Sequence, residues 1–229
     1  MRDKYQNQGF SKEMNRVRAE KIMKYAPSYK GVCVELGCGE GQITKELVKH
    51  FDNVFAFDIN KNCMKYLDAN VKFYVSDLEK DEIKNLVRVP VDYVVCSNVI
   101  EHLSNPKDTL KKISELGDDN TVFFFSVPNG ASINRMVGYD CGMLHRPESL
   151  GKHDIEAGHK KMYDAISFLK LIKKSFKVDK GRTFYYKPFP NNMMEKLPKE
   201  ILKQCENMKV TYSGAEIFMV ATKKKRWFS

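Results

Sequence analysis

Acids, amides and imidazoles gather at the ends of four apolar runs in this 229-residue chain. Glu35 leads into glycines at 37, 39 and 41, with Cys38 between the first two. Glycine has no Cβ, so the backbone there can turn sharply and lie against a ligand. A helical pattern follows, with Ile43, Leu47 and Val48 apolar and Lys45, Glu46 and Lys49 opposite. Its start offers unpaired N–H groups and a positive dipole to an anion. Asp58 closes the second run, where an acid can accept hydrogen bonds from both ribose hydroxyls. Asp77 and Leu78 end the third run, Ser97 and Asn98 the fourth, and Glu101-His102 come next. His145, His153 and His159 fall in a stretch without a clear period. An imidazole near neutral pKa suits removal of a proton from a hydroxyl nucleophile, which contributes ~10²–10⁴ in rate. Each group also has a plain structural use: a tight turn at the glycines, a turn acid at Asp58, a helix cap at Asp77.

The patterning supplies elements to hold these groups. Apolar, β-branched or aromatic runs begin at Val32, Asn53, Val71, Val91 and Thr121, and each reads as a buried strand. Helical spacing separates them. One helix starts at Asn60-Lys61-Asn62, and another opens at Pro106 and runs through Leu110, Ile113 and Leu116 to a stop at Gly117. Residues 162–176 predict an amphipathic helix, 178–185 a sixth strand and 214–222 a last one. Residues 1–30 read as a helical lead-in closed by Pro27. Two insertions stand out. Residues 129–160 predict an irregular lid, and long irregular segments in compact domains are usually functional. Residues 186–212, with Pro188, Pro190 and a short helix near 199–205, predict a cap. No repeat or linker divides residues 1–229, so one domain is expected.

Composition narrows the class. The chain is 42% hydrophobic and 30% charged, which fits a soluble globular protein. It shows no run of membrane-spanning length and no signal-peptide h-region. Six cysteines without a C-x-x-C or zinc spacing point to a reducing, cytoplasmic compartment. The net charge is +10, yet the lysines are spread out and the only tight basic run is Lys223-Lys224-Lys225-Arg226. That reads as a solvated surface, and a nucleic-acid partner is not expected from it.

The run E-x-G-x-G-x-G at 35–41 resembles motif I of class I S-adenosylmethionine (SAM)-dependent methyltransferases. The Ser-Asn-Val-Ile-Glu-His-Leu run at 97–103 and Val-Pro-Asn at 127–129 resemble the small-molecule subset carrying Glu-His-Leu after strand 4. The likeness covers residues 31–130 well, and 158–184 and 214–223 more loosely. It implies an α/β, Rossmann-like three-layer sandwich with a mostly parallel seven-stranded sheet, order 3-2-1-4-5-7-6, whose last strand is antiparallel. It implies SAM as cofactor and S-adenosylhomocysteine as product. Glu35, Gly37, Cys38, Gly39 and Gly41 would hold its methionine half, with Ser97 and Asn98 alongside. Asp58 and Ile59 would hold its ribose side, and Asp77 and Leu78 its adenine.

The implied reaction is in-line displacement of a methyl from a sulfonium, where positioning supplies ~7–11 kcal/mol in favourable systems. The expected acceptor is a small-molecule hydroxyl on a sugar, nucleotide-sugar or other biosynthetic intermediate. Its phosphates would meet Arg135, Arg146 and Lys152, and its proton would go to His153 first, then His159 or His102. Glu101-His102 also resembles half of the E-x-x-E-H metal site of ubiquinone-pathway and small-RNA methyltransferases. The leading acid is replaced here by Asn98, a poorer ligand for a hard dication; His153 or His159 could imitate the later histidine of the small-RNA enzymes, but the match is incomplete and no metal is expected. RNA 2′-O-methylation with a metal, N-methylation of an amino sugar and a non-catalytic SAM-binding subunit are the alternatives.

Overall fold

The computed structural model describes residues 10–224. The first part of the lead-in and the end of the basic tail lie outside them. Seven strands form one sheet: Val32–Leu36 (β1), Asn53–Asp58 (β2), Lys72–Val75 (β3), Tyr93–Ser97 (β4), Val122–Pro128 (β5), Phe176–Phe184 (β6) and Glu216–Lys223 (β7). Their order is β3-β2-β1-β4-β5-β7-β6, as expected. Strands β1 to β5 pair in parallel, and β7 runs antiparallel to both β5 and β6. The carboxyl ends of β1 to β5 therefore share one edge of the sheet, and the chemistry-bearing residues follow those ends.

Alternating side chains bury both faces, which is why the central strands read as continuous apolar runs. Val34, Leu36, Phe57, Val94, Cys96, Phe123 and Phe125 face Leu110 and Ile113 of helix Pro106–Ser114 (numbered α3 below) and Phe168 and Ile172 of a later helix. Cys33, Val54, Tyr93, Val95, Phe124 and Phe218 face the other way, onto Phe10, Met14, Val17 and Ile22 of helix Phe10–Lys24 (α1) and Leu47 of helix Thr44–His50 (α2). The Tyr93 hydroxyl donates to the Ile22 carbonyl at 2.7 Å, fixing α1 across the strands.

The insertions are more regular than their composition suggested. Residues 129–160 hold helices Ile133–Asp140 (α4) and Lys152–Ala157 (α5). The cap holds Asn191–Met194 (α7) and Lys199–Asn207 (α8), and its Met194 and Cys205 join the core under α1. Between them, the helix expected over 162–176 is Ala165–Ile172 (α6), with Asp164 capping it through Ser167 N–H, and Phe176 already begins β6. The expected helix after Asn60 is a 3₁₀ segment, Lys61–Tyr66, started by Asn60 Oδ1 accepting from Asn62 N–H. No helix among the described residues is long and apolar enough to cross a membrane, and no disulfide joins any of the six cysteines.

Candidate active site

The glycine turn after β1 is stitched to the end of β2. Gly37 and Cys38 N–H both donate to the Phe57 carbonyl, at 2.7 and 3.0 Å. Gly39 N–H donates to Asp58 Oδ2 at 2.9 Å, and Asn60 N–H to Asp58 Oδ1 at 2.8 Å. A carboxylate has about four acceptor positions, so Asp58 is oriented by two amides and keeps capacity for two hydroxyls. Gly37 has φ +77°, and a Cβ there would stand 2.3 Å from Val99 Cγ2, just past β4. The turn thus needs glycine for its own packing as well as for access. Gly41 N–H also turns inward, onto the Cys38 carbonyl, and α2 begins at Thr44.

Glu35 lies beneath this floor rather than on it. It is 2% exposed and accepts from Thr44 Oγ1 at 2.6 Å. Burial pushes its carboxyl up to about 8, and nearby Asp58 adds to the rise. Thr44 was not singled out from sequence, although its place nine residues past Glu35, at the first turn of α2, marks it. Cys38 is buried with Ala56 and Cys63 and serves as packing. Ile59, beside Asp58, is 62% exposed, while Leu78 is buried in the core. Asp77 is turned to local work: its Oδ1 accepts from Glu79 N–H at 3.0 Å and its Oδ2 pairs with Lys80 at 2.9 Å. Ser97 shares a 2.7 Å hydrogen bond with Ser126 at the end of β5. Asn98 follows in the left-handed region, φ 54°, with Oδ1 buried and without a hydrogen-bond partner.

A second group of polar side chains sits beyond β4. Glu101 is 1% exposed, and neither carboxylate oxygen has a hydrogen-bond partner. Burial pushes it up to about 8. His102 Nδ1 lies 3.0 Å from the Gly158 carbonyl. Gly158 takes φ +82° and ends α5 in a left-handed cap, a conformation glycine adopts without strain. That cap swings His159 back onto His102, with ring centroids 4.8 Å apart. Lys160 N–H donates to the Glu101 carbonyl at 2.8 Å and fastens the two segments together. Behind His159, Asp154 Oδ1 stands 3.6 Å from its Nδ1. Asp154 itself accepts from Gly151 N–H and Arg135. Burial would raise its carboxyl, but the His159 imidazole and these donors bring it down to about 2.

Solved structures and curated sequences bear on this arrangement. The structure resembles a SAM-dependent methyltransferase from Archaeoglobus fulgidus, at 16% identity, TM-score 0.65, covering 96% of this chain and 98% of that one. It also resembles the N-methyltransferase NodS of Bradyrhizobium japonicum in complex with S-adenosylhomocysteine, at 10% identity and TM-score 0.55, covering 94% and 88%. A family model described as a methyltransferase domain matches residues 10–175. The chain belongs to that methyltransferase family. Ribosomal RNA small subunit methyltransferase A of Mycoplasma capricolum is 30% identical over 90 residues, which is 37% of this chain and 33% of that protein. The chain thus aligns with about a third of the length of the curated relatives it matches.

Of the histidines of this methyltransferase, the fold brings His102 and His159 together. His153 is elsewhere: it sits on α5 with its side chain 98% exposed, 3.4 Å from Glu156. That placement removes it as the first choice of base. His145 is likewise exposed. Arg135 is not open to an acceptor phosphate either. It donates to the Pro147 carbonyl at 2.6 Å and to the Ser149 carbonyl, and pairs with Asp154 at 2.9 Å, so it clasps the lid. Arg146 and Lys152 remain exposed on that lid. Sequence reasoning missed Asp154, and also Lys187, which burial pulls down to about 8 near Glu216 and Asp154. Asp154's signal is its place five residues before His159, one helical turn plus the glycine cap.

Proposed function

We propose that this chain transfers the methyl group of SAM to a hydroxyl of a small molecule, with a sugar or nucleotide-linked sugar as first choice. One observation carries the cofactor side of the reading: Asp58, at the end of β2, is clipped to Gly39 of the turn after β1. The residues fit the cofactor. Asp58 has acceptor capacity for ribose hydroxyls, Ile59 offers an open apolar surface beside it, and Asn98 holds a buried oxygen without a partner next to the turn. When bound, SAM supplies an electrophilic methyl on a sulfonium. The chain's own part is to hold and orient. Gly37, Cys38, Gly39 and Gly41 shape the floor, and Glu35 with Thr44 stiffens it from below. Asp77 and Leu78 flank the adenine side, and Ser97 and Asn98 close the side nearest β4. His159, backed by Asp154 and packed on His102, takes the acceptor proton.

A second reading has its own support. The ribosomal RNA methyltransferases that match part of this chain favour RNA as acceptor, and the net charge of +10 agrees. Methyl-labelled SAM separates the two. Label entering hydroxylated sugars or nucleotide-sugars, at a rate insensitive to moderate salt, is the expected result. Label entering ribosomal RNA, with binding that weakens steeply as salt rises, would replace the small-molecule reading. Label entering only amino sugars would make the acceptor an amine.

A further inference from the structure

We propose that Glu101, His102 and His159 together form a binding site for one divalent transition-metal ion. One donor atom from each of the three lies within 4.8 Å of the others. Both Glu101 oxygens are buried without a hydrogen-bond partner, a costly arrangement that a cation would resolve. The two imidazoles are held in the manner of ligands. His102 Nδ1 meets the Gly158 carbonyl at 3.0 Å, and since a carbonyl only accepts, Nδ1 donates there. His159 has Nδ1 buried without a hydrogen-bond partner, 3.6 Å from the Asp154 carboxylate. The backbone carbonyl behind His102 is the kind of outer partner that metal-bound histidines use, and a carboxylate stands close to the other ring. Asp154 is itself anchored by Arg135 and Gly151, so the support is rigid.

The donor set selects the ion. Two imidazoles and one carboxylate suit zinc, cobalt, iron or manganese better than the all-oxygen ions magnesium and calcium. Donors at ~2.0–2.2 Å from one ion stand roughly 3 Å apart, so the side chains draw inward on binding. Three protein ligands leave a position open, as in metal sites that act on a substrate oxygen. Its place beyond β4, on the edge where the strand ends converge, puts that position beside the acceptor. There the ion would lower the pKa of a bound hydroxyl, whose proton would pass to solvent; with the ion bound, this replaces the base role given to His159 above. The role, though not the site, rests on the methyl-transfer reading.

Cobalt titration of chelator-stripped protein tests the site independently of that reading. The expected result is a saturable visible absorption at one cobalt per chain. Glu101→Gln and His159→Ala should each weaken cobalt at least about 10–100-fold, the loss that even outer partners cause. Both variants should still bind S-adenosylhomocysteine, which reports a folded cofactor side. A wild-type protein with no saturable cobalt signal overturns the proposal, whatever the variants do. So does cobalt affinity unchanged in both folded variants. Failure of S-adenosylhomocysteine binding with cobalt binding intact would sink the methyl-transfer reading and leave the metal site standing.

Discussion

The two halves of the site are built differently. On the β1–β2 side, the polar groups have found each other: Asp58 takes two amides, Glu35 takes Thr44, and the glycine-turn amides end on Phe57, Asp58 and Cys38. On the β4 side, buried oxygens of Asn98 and Glu101 stand without hydrogen-bond partners, and His159 arrives from far along the chain. A floor satisfied within itself is a preformed surface that needs little rearrangement on binding. A buried group left unsatisfied costs stability and persists at sites where a ligand or reaction uses it. On the proposed reading, the contrast assigns cofactor holding to the β1 and β2 ends and the chemistry to the β4 end together with the lid.

The largest expected effect breaks the lid side alone. With an acceptor in hand, His159→Ala should lower kcat about 10²–10⁴-fold while S-adenosylhomocysteine affinity stays within about twofold. A parallel loss of cofactor affinity would merge the two halves. Next, Gly37→Ala forces a Cβ onto Val99 at a left-handed φ and should cost about 2–4 kcal/mol by urea unfolding. Near-normal stability would show that the turn is looser than its contacts imply.

A third effect concerns pH. Glu35 titrates at about 8 in the folded chain and near ~4.3 unfolded, so folding takes up a proton across that interval. Its contribution is complete below the unfolded value and is lost as pH rises through the folded one. Wild-type Tm should therefore fall more between pH 5 and 8 than that of Glu35→Gln. Parallel curves would place Glu35 in contact with water. The smallest effect is His153→Ala, exposed on α5, which should change neither stability nor kcat by more than about 0.5 kcal/mol.

How far the sequence reveals this molecule follows the same division. The run of each central strand, the glycine turn and Asp58 were legible because each is local, a buried run and then the residue just beyond it; the strand order came from the resemblance to methyltransferases. The 3₁₀ segment at Lys61–Tyr66 was misread as an ordinary helix because its spacing through Met64 and Leu67 is too short to separate the two. Lid residues were harder. Arg135 resembled a phosphate ligand until its three lid partners appeared, and His153 and His159 look alike as letters. What separates those two histidines is Gly158, whose left-handed turn sends His159 inward while His153 stays on the outer face of α5. Such a distinction lives in tertiary placement, which spacing does not carry.

Calorimetric titration of wild-type protein and Asp58→Ala with S-adenosylhomocysteine tests the central claim most directly. Two hydrogen bonds to a charged carboxylate contribute about 1.5–3 kcal/mol each. Wild type should saturate at one molecule per chain, and Asp58→Ala should bind at least about 100-fold more weakly. Folded wild-type protein with no saturable heat, or an Asp58→Ala variant that binds as tightly as wild type, would contradict it.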